Sequence, residues 1–286
     1  MIRPVDVLLE FLAAEQTNGV THVHLDDGAR EVLRGLFNLS KSGKPAPATT
    51  PKEAPRMEIS MDEPQLATVQ APLSIVGSSR HEQLDSLRRQ AENWAPAKTL
   101  GTLRETLIFA SGNPEARVML IGEAPGYYEE RERQPFVGET GQKLDDILKA
   151  MGLTREAVYL SNIVKFRPAT PRQTTNNRKP SAQELAACLP LIRAEISIIR
   201  PQCIVILGEA AAEGLLGLTG SLATMRESWH TIEDIPVRVT YHPSTLLQTK
   251  GGLTAKRQLW EDLLAVMEKL ELPISAKQRS FFLPKP

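Results

Sequence analysis

The chain has 286 residues, 41% of them hydrophobic, which is enough apolar material for one sizeable core but not for a core throughout. Lysine plus arginine and aspartate plus glutamate both number 34, so net charge points to no partner, and a nucleic-acid surface would have to concentrate its basic residues locally. Two cysteines, Cys188 and Cys203, exclude a disulfide framework and a four-cysteine metal site within one chain. No apolar run is long enough to span a membrane, and the N-terminus lacks a basic start followed by an apolar core, so the expectation is a cytoplasmic protein.

Residues 1–41 are predicted as an N-terminal helical segment. Val5, Leu8, Leu9 and Leu12 share one face of a helix there, and a second short helix covers Ala29 to Phe37. That apolar face could dock another protein or pack on its own domain. Residues 42–80 are rich in Pro, Ala, Ser and Thr and read as a flexible linker. A domain is predicted over 81–275, followed by a tail at 276–286. Within it, Leu84 to Trp94 reads as a helix. Arg117 to Ile121 is a buried strand ending at Gly122. Gly141 to Met151 is a helix with Leu144, Ile147, Leu148 and Met151 on one face. Ala157 to Val164 is a second strand. Ser181 to Ile199 is a long helix opened by a Ser181/Glu184 capping box. Cys203 to Gly208 is a third strand, Glu209 to Leu216 a helix, Pro236 to Tyr241 a fourth strand, and Lys256 to Leu270 a closing helix. Strands alternating with helices predict an α/β fold with an open, mainly parallel four-stranded sheet covered on both faces. Ligands then sit beyond the carboxyl ends of the strands, where segments 122–128, 162–168 and 242–248 emerge.

Those segments carry the chemistry. Gly122-Glu123-Ala124-Pro125-Gly126 can turn tightly and bring backbone N–H groups to a ligand, with Glu123 at the rim; the bland alternative is a plain strand-to-loop turn. Phe136, in Pro135-Phe136-Val137-Gly138, can stack on a flat heterocycle or simply fill the core. Asn162 offers a donor and an acceptor to a base edge, or else caps a turn. His242, in His242-Pro243-Ser244, can donate to an oxygen gaining negative charge, or merely bond its own loop. Leu246 and Leu247 follow as a wedge for a base stack or the first turn of a helix. From Lys165 to Lys179 the chain holds Lys165, Arg167, Arg172, Arg178 and Lys179 with no acidic residue, a candidate phosphate-contacting surface.

LIGEAPGYYEE, QPFVGETGQKLDDIL, VYLSNIVKFRP, AACLPLIRAEISIIRPQCIVILGEAAAEGLLG and VTYHPSTLLQ, in this order, resemble the uracil-DNA glycosylase superfamily, and within it the bacterial and archaeal family-four enzymes, over roughly residues 81–270. The resemblance implies a three-layer α/β/α sandwich, uracil-containing DNA as substrate, a flipped base and hydrolysis of its N-glycosidic bond in DNA repair; a monomer is expected. It implies that Glu123 and Gly126, with Gly122 and Ala124, shape the uracil pocket and position water, and that Glu129 lines it. It implies that Phe136 stacks on uracil, that Asn162 bonds its edge, and that His242 stabilises the departing anion. Pro243, Ser244, Leu246 and Leu247 are the implied DNA contacts, to which the basic stretch adds Lys165 and Arg167.

The chain also departs from that family, whose members carry a four-cysteine iron–sulfur cluster. The corresponding positions here are Ala95, Lys98, Phe166 and Cys188, so Cys188 alone keeps a ligand position, and one thiolate cannot hold such a cluster. The expectation is no metal and no cofactor. A related branch traps DNA through a histidine in a basic insertion; the insertion here has no histidine and Ala124 replaces that branch's glutamine, so covalent trapping is not expected. Gln248 stands where the family often has arginine. The alternatives are a non-catalytic or weakly active nucleic-acid-binding homologue and a small-molecule nucleobase enzyme. Glu123, Phe136, Asn162 and His242 argue against the first, and the basic loop with Leu246-Leu247 against the second.

Overall fold

The structure is a computed structural model that describes residues 73–247 and 252–282. The helices expected before residue 41 and most of the expected linker lie outside the described residues, as does Gln248. In chain order the elements are α1 (Arg80–Glu92), α2 (Ala95–Lys98), β1 (Leu103–Leu107), β2 (Ala110–Gly112), β3 (Val118–Gly122), α3 (Tyr127–Glu132), α4 (Gly138–Met151), β4 (Tyr159–Asn162), β5 (Phe166–Pro168), α5 (Ala182–Ile199), β6 (Cys203–Leu207), α6 (Glu209–Leu216), α7 (Leu222–Arg226), β7 (Trp229–Ile232), β8 (Ile235–Thr240), a 3-10 turn (Pro243–Leu247), α8 (Gly252–Lys269) and α9 (Ala276–Arg279).

The four expected strands are the inner ones. The sheet runs β2-β4-β3-β6-β8-β7, with β4, β3, β6 and β8 mutually parallel. Two short strands extend it to six, β2 antiparallel on β4 and β7 antiparallel on β8. β1 and β5 form a separate antiparallel ribbon. Because helices cover both faces, β3 and β6 are buried at every residue and read as continuous apolar runs. Alternation sorts their side chains. Met119, Ile121, Ile204 and Ile206 pack with α1, α5 and α6, while Val118, Leu120, Val205 and Leu207 pack with α4 and α8. This is the expected three-layer sandwich.

The expected capping box opens α5. The Ser181 hydroxyl accepts from the Glu184 amide, and the Glu184 carboxylate accepts from the Ser181 amide at 2.7 Å. The expected linker reaches residue 80, yet Leu73 and Ile75 pack on the core and the Ser74 amide donates to Gln90 at 2.9 Å. The expected tail also packs: Trp260 Nε1 donates to the Gln278 carbonyl at 2.8 Å, and Phe281 lies 5.0 Å from the Trp260 ring. Apolar side chains at both ends find the helical layers, which local composition does not reveal.

Candidate active site

β3, β4 and β8 all end at the same edge of the sheet, delivering Gly122, Asn162 and His242 to one place. Gly122 and Asn162 are register partners across β3 and β4. The Ile163 amide donates to the Gly122 carbonyl and the Val164 amide to the Glu123 carbonyl, each at 3.0 Å, so the two exit loops are zipped together. The pocket there has a volume of about 180 Å³ and is lined by Glu123, Ala124, Pro125, Gly126, Glu129, Phe136, Thr140, Asn162, Asn177, Arg178, His242 and Ser244.

Gly122 has no room for a side chain. A Cβ there would lie 2.4 Å from Asn162 Oδ1 and 2.9 Å from Phe136 Cζ. Asn162 is 3% exposed, and its side-chain amide makes no hydrogen bond among the described residues, so donor and acceptor both remain for a ligand. Phe136 is 3% exposed with φ 54°, a left-handed backbone that a phenylalanine adopts only when its surroundings impose it. Arg155 supplies part of that constraint by donating to the Phe136 carbonyl at 2.5 Å.

His242 is half-buried, its ring centroid 6.1 Å from that of Phe136. Its Nδ1 accepts from the Ser244 backbone amide at 3.3 Å and lies 2.8 Å from Ser244 Oγ. A nitrogen that accepts an N–H carries no proton, so the neutral ring keeps its proton on Nε2. Burial holds the imidazole pKa down at about 4, so the ring is uncharged at neutral pH. Burial also raises Glu123, with Lys179 acting against it, and raises Glu129, which accepts from the Gly126 amide at 3.1 Å.

The basic loop needs correction. Lys165 is fully buried and ion-paired with Glu195, itself fully buried. It also donates to Ser161 Oγ at 2.6 Å, so it cannot reach DNA. Arg167 is 2% exposed and donates to Glu130 at 2.9 Å, to the Thr174 and Asn176 carbonyls at 2.9 and 2.7 Å, and to Asn177 Oδ1 at 3.1 Å. It braces the loop instead of contacting a phosphate. Arg178 is tied to Glu184 by two bonds of 2.6 and 2.7 Å. Arg172 and Lys179 are the exposed cations of this stretch.

The loop after β8 also divides its roles. Pro243 is buried, Ser244 bonds His242, and Leu246 packs on the core with α4 and α8, so it does not form an exposed wedge. Leu247 is 41% exposed. Asn177 and Thr140 are pocket residues that sequence reasoning missed. Asn177 Oδ1 takes the Tyr127 amide at 3.1 Å as well as Arg167, which holds its amide against Gly126. An asparagine inside an insertion carries no local signal for that placement.

At the four positions expected to correspond to cluster ligands the chain offers one thiol, that of Cys188. Ala95 and Lys98 bound α2, Phe166 is 2% exposed, and Cys188 is fully buried in the cluster that also holds Trp94, Ala97 and Phe166. Trp94 Nε1 donates to the Ala187 carbonyl at 2.6 Å across this corner. Burial pushes the Cys188 thiol up to about 11, opposite to what a metal-ligating thiolate needs. Cys203 belongs to the core cluster on the other face of the sheet, so the two sulfurs cannot share a site. Among the described residues, no three His, Cys, Asp or Glu side chains group to hold a metal ion.

A model of the uracil DNA glycosylase superfamily matches residues 109–264, the stretch that carries the whole pocket. A type-4 uracil-DNA glycosylase of Sulfurisphaera tokodaii is 35% identical over 196 residues, covering 65% of this chain and 85% of that protein. One from Thermotoga maritima is 35% identical over 164 residues, covering 56% and 81%. A type-5 uracil-DNA glycosylase of Pyrobaculum aerophilum is 30% identical over 162 residues, covering 51% and 69%. No helix among the described residues is long and apolar enough to cross a membrane.

Proposed function

The chain belongs to the uracil DNA glycosylase superfamily, and from that membership we propose that it hydrolyses the bond between uracil and deoxyribose in DNA, releasing uracil and leaving an abasic site. One arrangement supports this reading most: an uncharged His242, its Nε2–H left free by the Ser244 contacts, shares a pocket with the ring of Phe136 and with the Asn162 amide, which has no partner among the described residues.

In this reading the uracil leaves the base stack at a cost of a few kcal/mol and enters the pocket. Phe136 stacks on the ring, and the Asn162 amide pairs with a base edge that offers one donor and one acceptor. Gly122 keeps that wall open. As the bond from C1′ to the base nitrogen breaks, both its electrons go to the base, and negative charge reaches the O2 oxygen. His242 Nε2–H donates there, so uracil departs as a stabilised anion. The Glu123 carboxylate faces the cationic sugar and orients the water that attacks C1′, and that water's proton passes to solvent. Glu129 holds the Gly126 amide and thereby the loop carrying Glu123. Arg172 and Lys179 contact phosphates, and Leu247 fills the emptied place in the stack.

We further propose that the protein does this without an iron–sulfur cluster, apolar packing of Trp94, Phe166 and Cys188 serving at that corner. The test is purified protein on a single-stranded oligonucleotide holding one uracil, followed by alkali. Cleavage at the uracil position is expected, and an uncleaved strand at long incubation would refute the proposal.

A further inference from the structure

The position of His242 depends on how firmly the end of β8 is held. Asp262, on α8, is fully buried and takes four charged or hydroxyl contacts. Arg226 Nε donates to it at 2.8 Å, Arg238 donates through Nη2 at 2.7 Å and Nε at 3.1 Å, and Thr240 Oγ1 donates at 2.7 Å. Thr240 is itself fully buried and stands two residues before His242. Its carbonyl accepts from the Gly208 amide at 2.8 Å, and Gly208, at φ +98°, lies directly under His242: a Cβ there would be 3.3 Å from His242 Cβ. Tyr241, the intervening residue, donates its hydroxyl to Gln258 of α8 at 2.7 Å, while the Arg226 guanidinium lies 5.6 Å from its ring.

The last two residues before His242 are thus fastened to one helix by side chains, whereas the turn after His242 supplies the Ser244 contacts to the ring and the Thr245 amide, which donates to the His242 carbonyl at 2.9 Å. Backbone pairing fixes β8 as far as Thr240, whose register partner is Leu207. Beyond that point the chain leaves the sheet, and the Thr240 hydroxyl is its last buried tether before the imidazole.

We propose that Asp262, acting through Thr240, is a positioning residue for His242: it sets where Nε2–H points in the pocket, so its loss lowers the chemical rate and leaves substrate binding alone. This rests on the function proposed above. A carboxylate is suited to the task because it accepts from several donors at once and so couples α7, β8 and α8 at a single buried point. Placement matters to this degree because a donor displaced by a fraction of an ångström loses much of its effect on a developing oxyanion.

The experiment uses Thr240→Val, which keeps the side chain's shape and leaves both guanidiniums on Asp262, with Thr240→Ser as the conservative control. Each is made in the wild-type and His242→Ala backgrounds, and kcat and KM for uracil release are measured alongside the imidazole NMR signals of substrate-free protein. Thr240→Val is expected to lower kcat about tenfold with KM within about twofold. It is expected to shift the His242 ring signals and to add no further loss in the His242→Ala background; Thr240→Ser should restore both rate and signals. Equal loss in both backgrounds, a change confined to KM, or unmoved ring signals would overturn the assignment and leave Asp262 as an anchor of α8. The ring signals need no turnover, so an inactive wild type would count against the proposed function and not against this inference. If Thr240→Val melts far below the wild type, Thr240→Ala, which also leaves both guanidiniums on Asp262, carries the same comparison.

Discussion

His242 should titrate far below an ordinary histidine, and this has consequences for both rate and stability. Burial places its pKa at about 4 against a usual 6.5. At pH 5.5 a pKa of 4 leaves roughly 3% of the rings charged, whereas an unperturbed histidine would be roughly nine-tenths charged. The Ser244 amide adds a geometric reason, since it points its hydrogen at Nδ1 and would meet a second hydrogen on a charged ring. The sign for stability follows. Between about pH 4 and 6.5 the unfolded chain binds the proton that the folded chain refuses, so this residue lowers stability as pH falls through that window and has no effect above it. The full shift corresponds to at most about 3–4 kcal/mol, a ceiling because the ring is only half-buried beside an open pocket. The assay is an NMR titration of the imidazole with chemical denaturation at pH 7.5 and 5, in wild type and His242→Gln. The substitution should remove part of the acid destabilisation. A midpoint at 6 or above, or an identical pH slope in the two proteins, would refute the reasoning. The acid limb of uracil release should belong to Glu123, whose pKa is raised by burial, and Glu123→Gln should flatten it.

Other consequences follow from the same geometry. Lys165→Met strands the buried Glu195 carboxylate and should destabilise the fold by about 3–5 kcal/mol, with DNA affinity of the folded protein unchanged; denaturation and binding curves check both, and weaker binding at full stability would restore Lys165 as a DNA contact. Gly122→Ala drives a methyl into Asn162 Oδ1 and the Phe136 ring and should cut kcat at least a hundredfold. Phe166→Ala should lower stability by about 3–5 kcal/mol through the cavity it leaves, while Cys188→Ala should leave activity within about threefold of wild type. Anaerobically purified protein should contain negligible iron and show no visible absorption, and stoichiometric iron would contradict the replacement of the cluster by packing.

The inner strands were readable because burial on both faces forces unbroken apolar runs such as Val118 to Ile121 and Cys203 to Leu207. The edge strand β2 and the ribbon strand β1 were not. Ala110-Ser111-Gly112 is short and partly exposed, and Leu103 to Leu107 alternates irregularly, so neither carries a period. Glu123 and His242 were legible because each leaves a strand within a glycine- or proline-bearing turn, Phe136 because it sits in a proline- and glycine-bearing loop, and Asn162 because it ends a strand. Lys165 and Arg167 misled because their segment lacks acidic residues, while their partners come from elsewhere: Glu130 lies 37 positions before Arg167, and Glu195 comes from the buried face of α5. Ion pairing at that distance is a property of the fold and leaves no local trace. Asn177 and Asp262 were silent for the same reason, since each matters only through groups brought to it by other elements.

The central claim is that His242 and Asn162 act together on a uracil held against Phe136. Single-turnover release of uracil from a single-stranded oligonucleotide, compared between wild type and the double variant Asn162→Ala with His242→Ala, tests it most directly. The account predicts efficient release by the wild type and at least a thousandfold loss in the folded double variant. Equal release by the two proteins would contradict it.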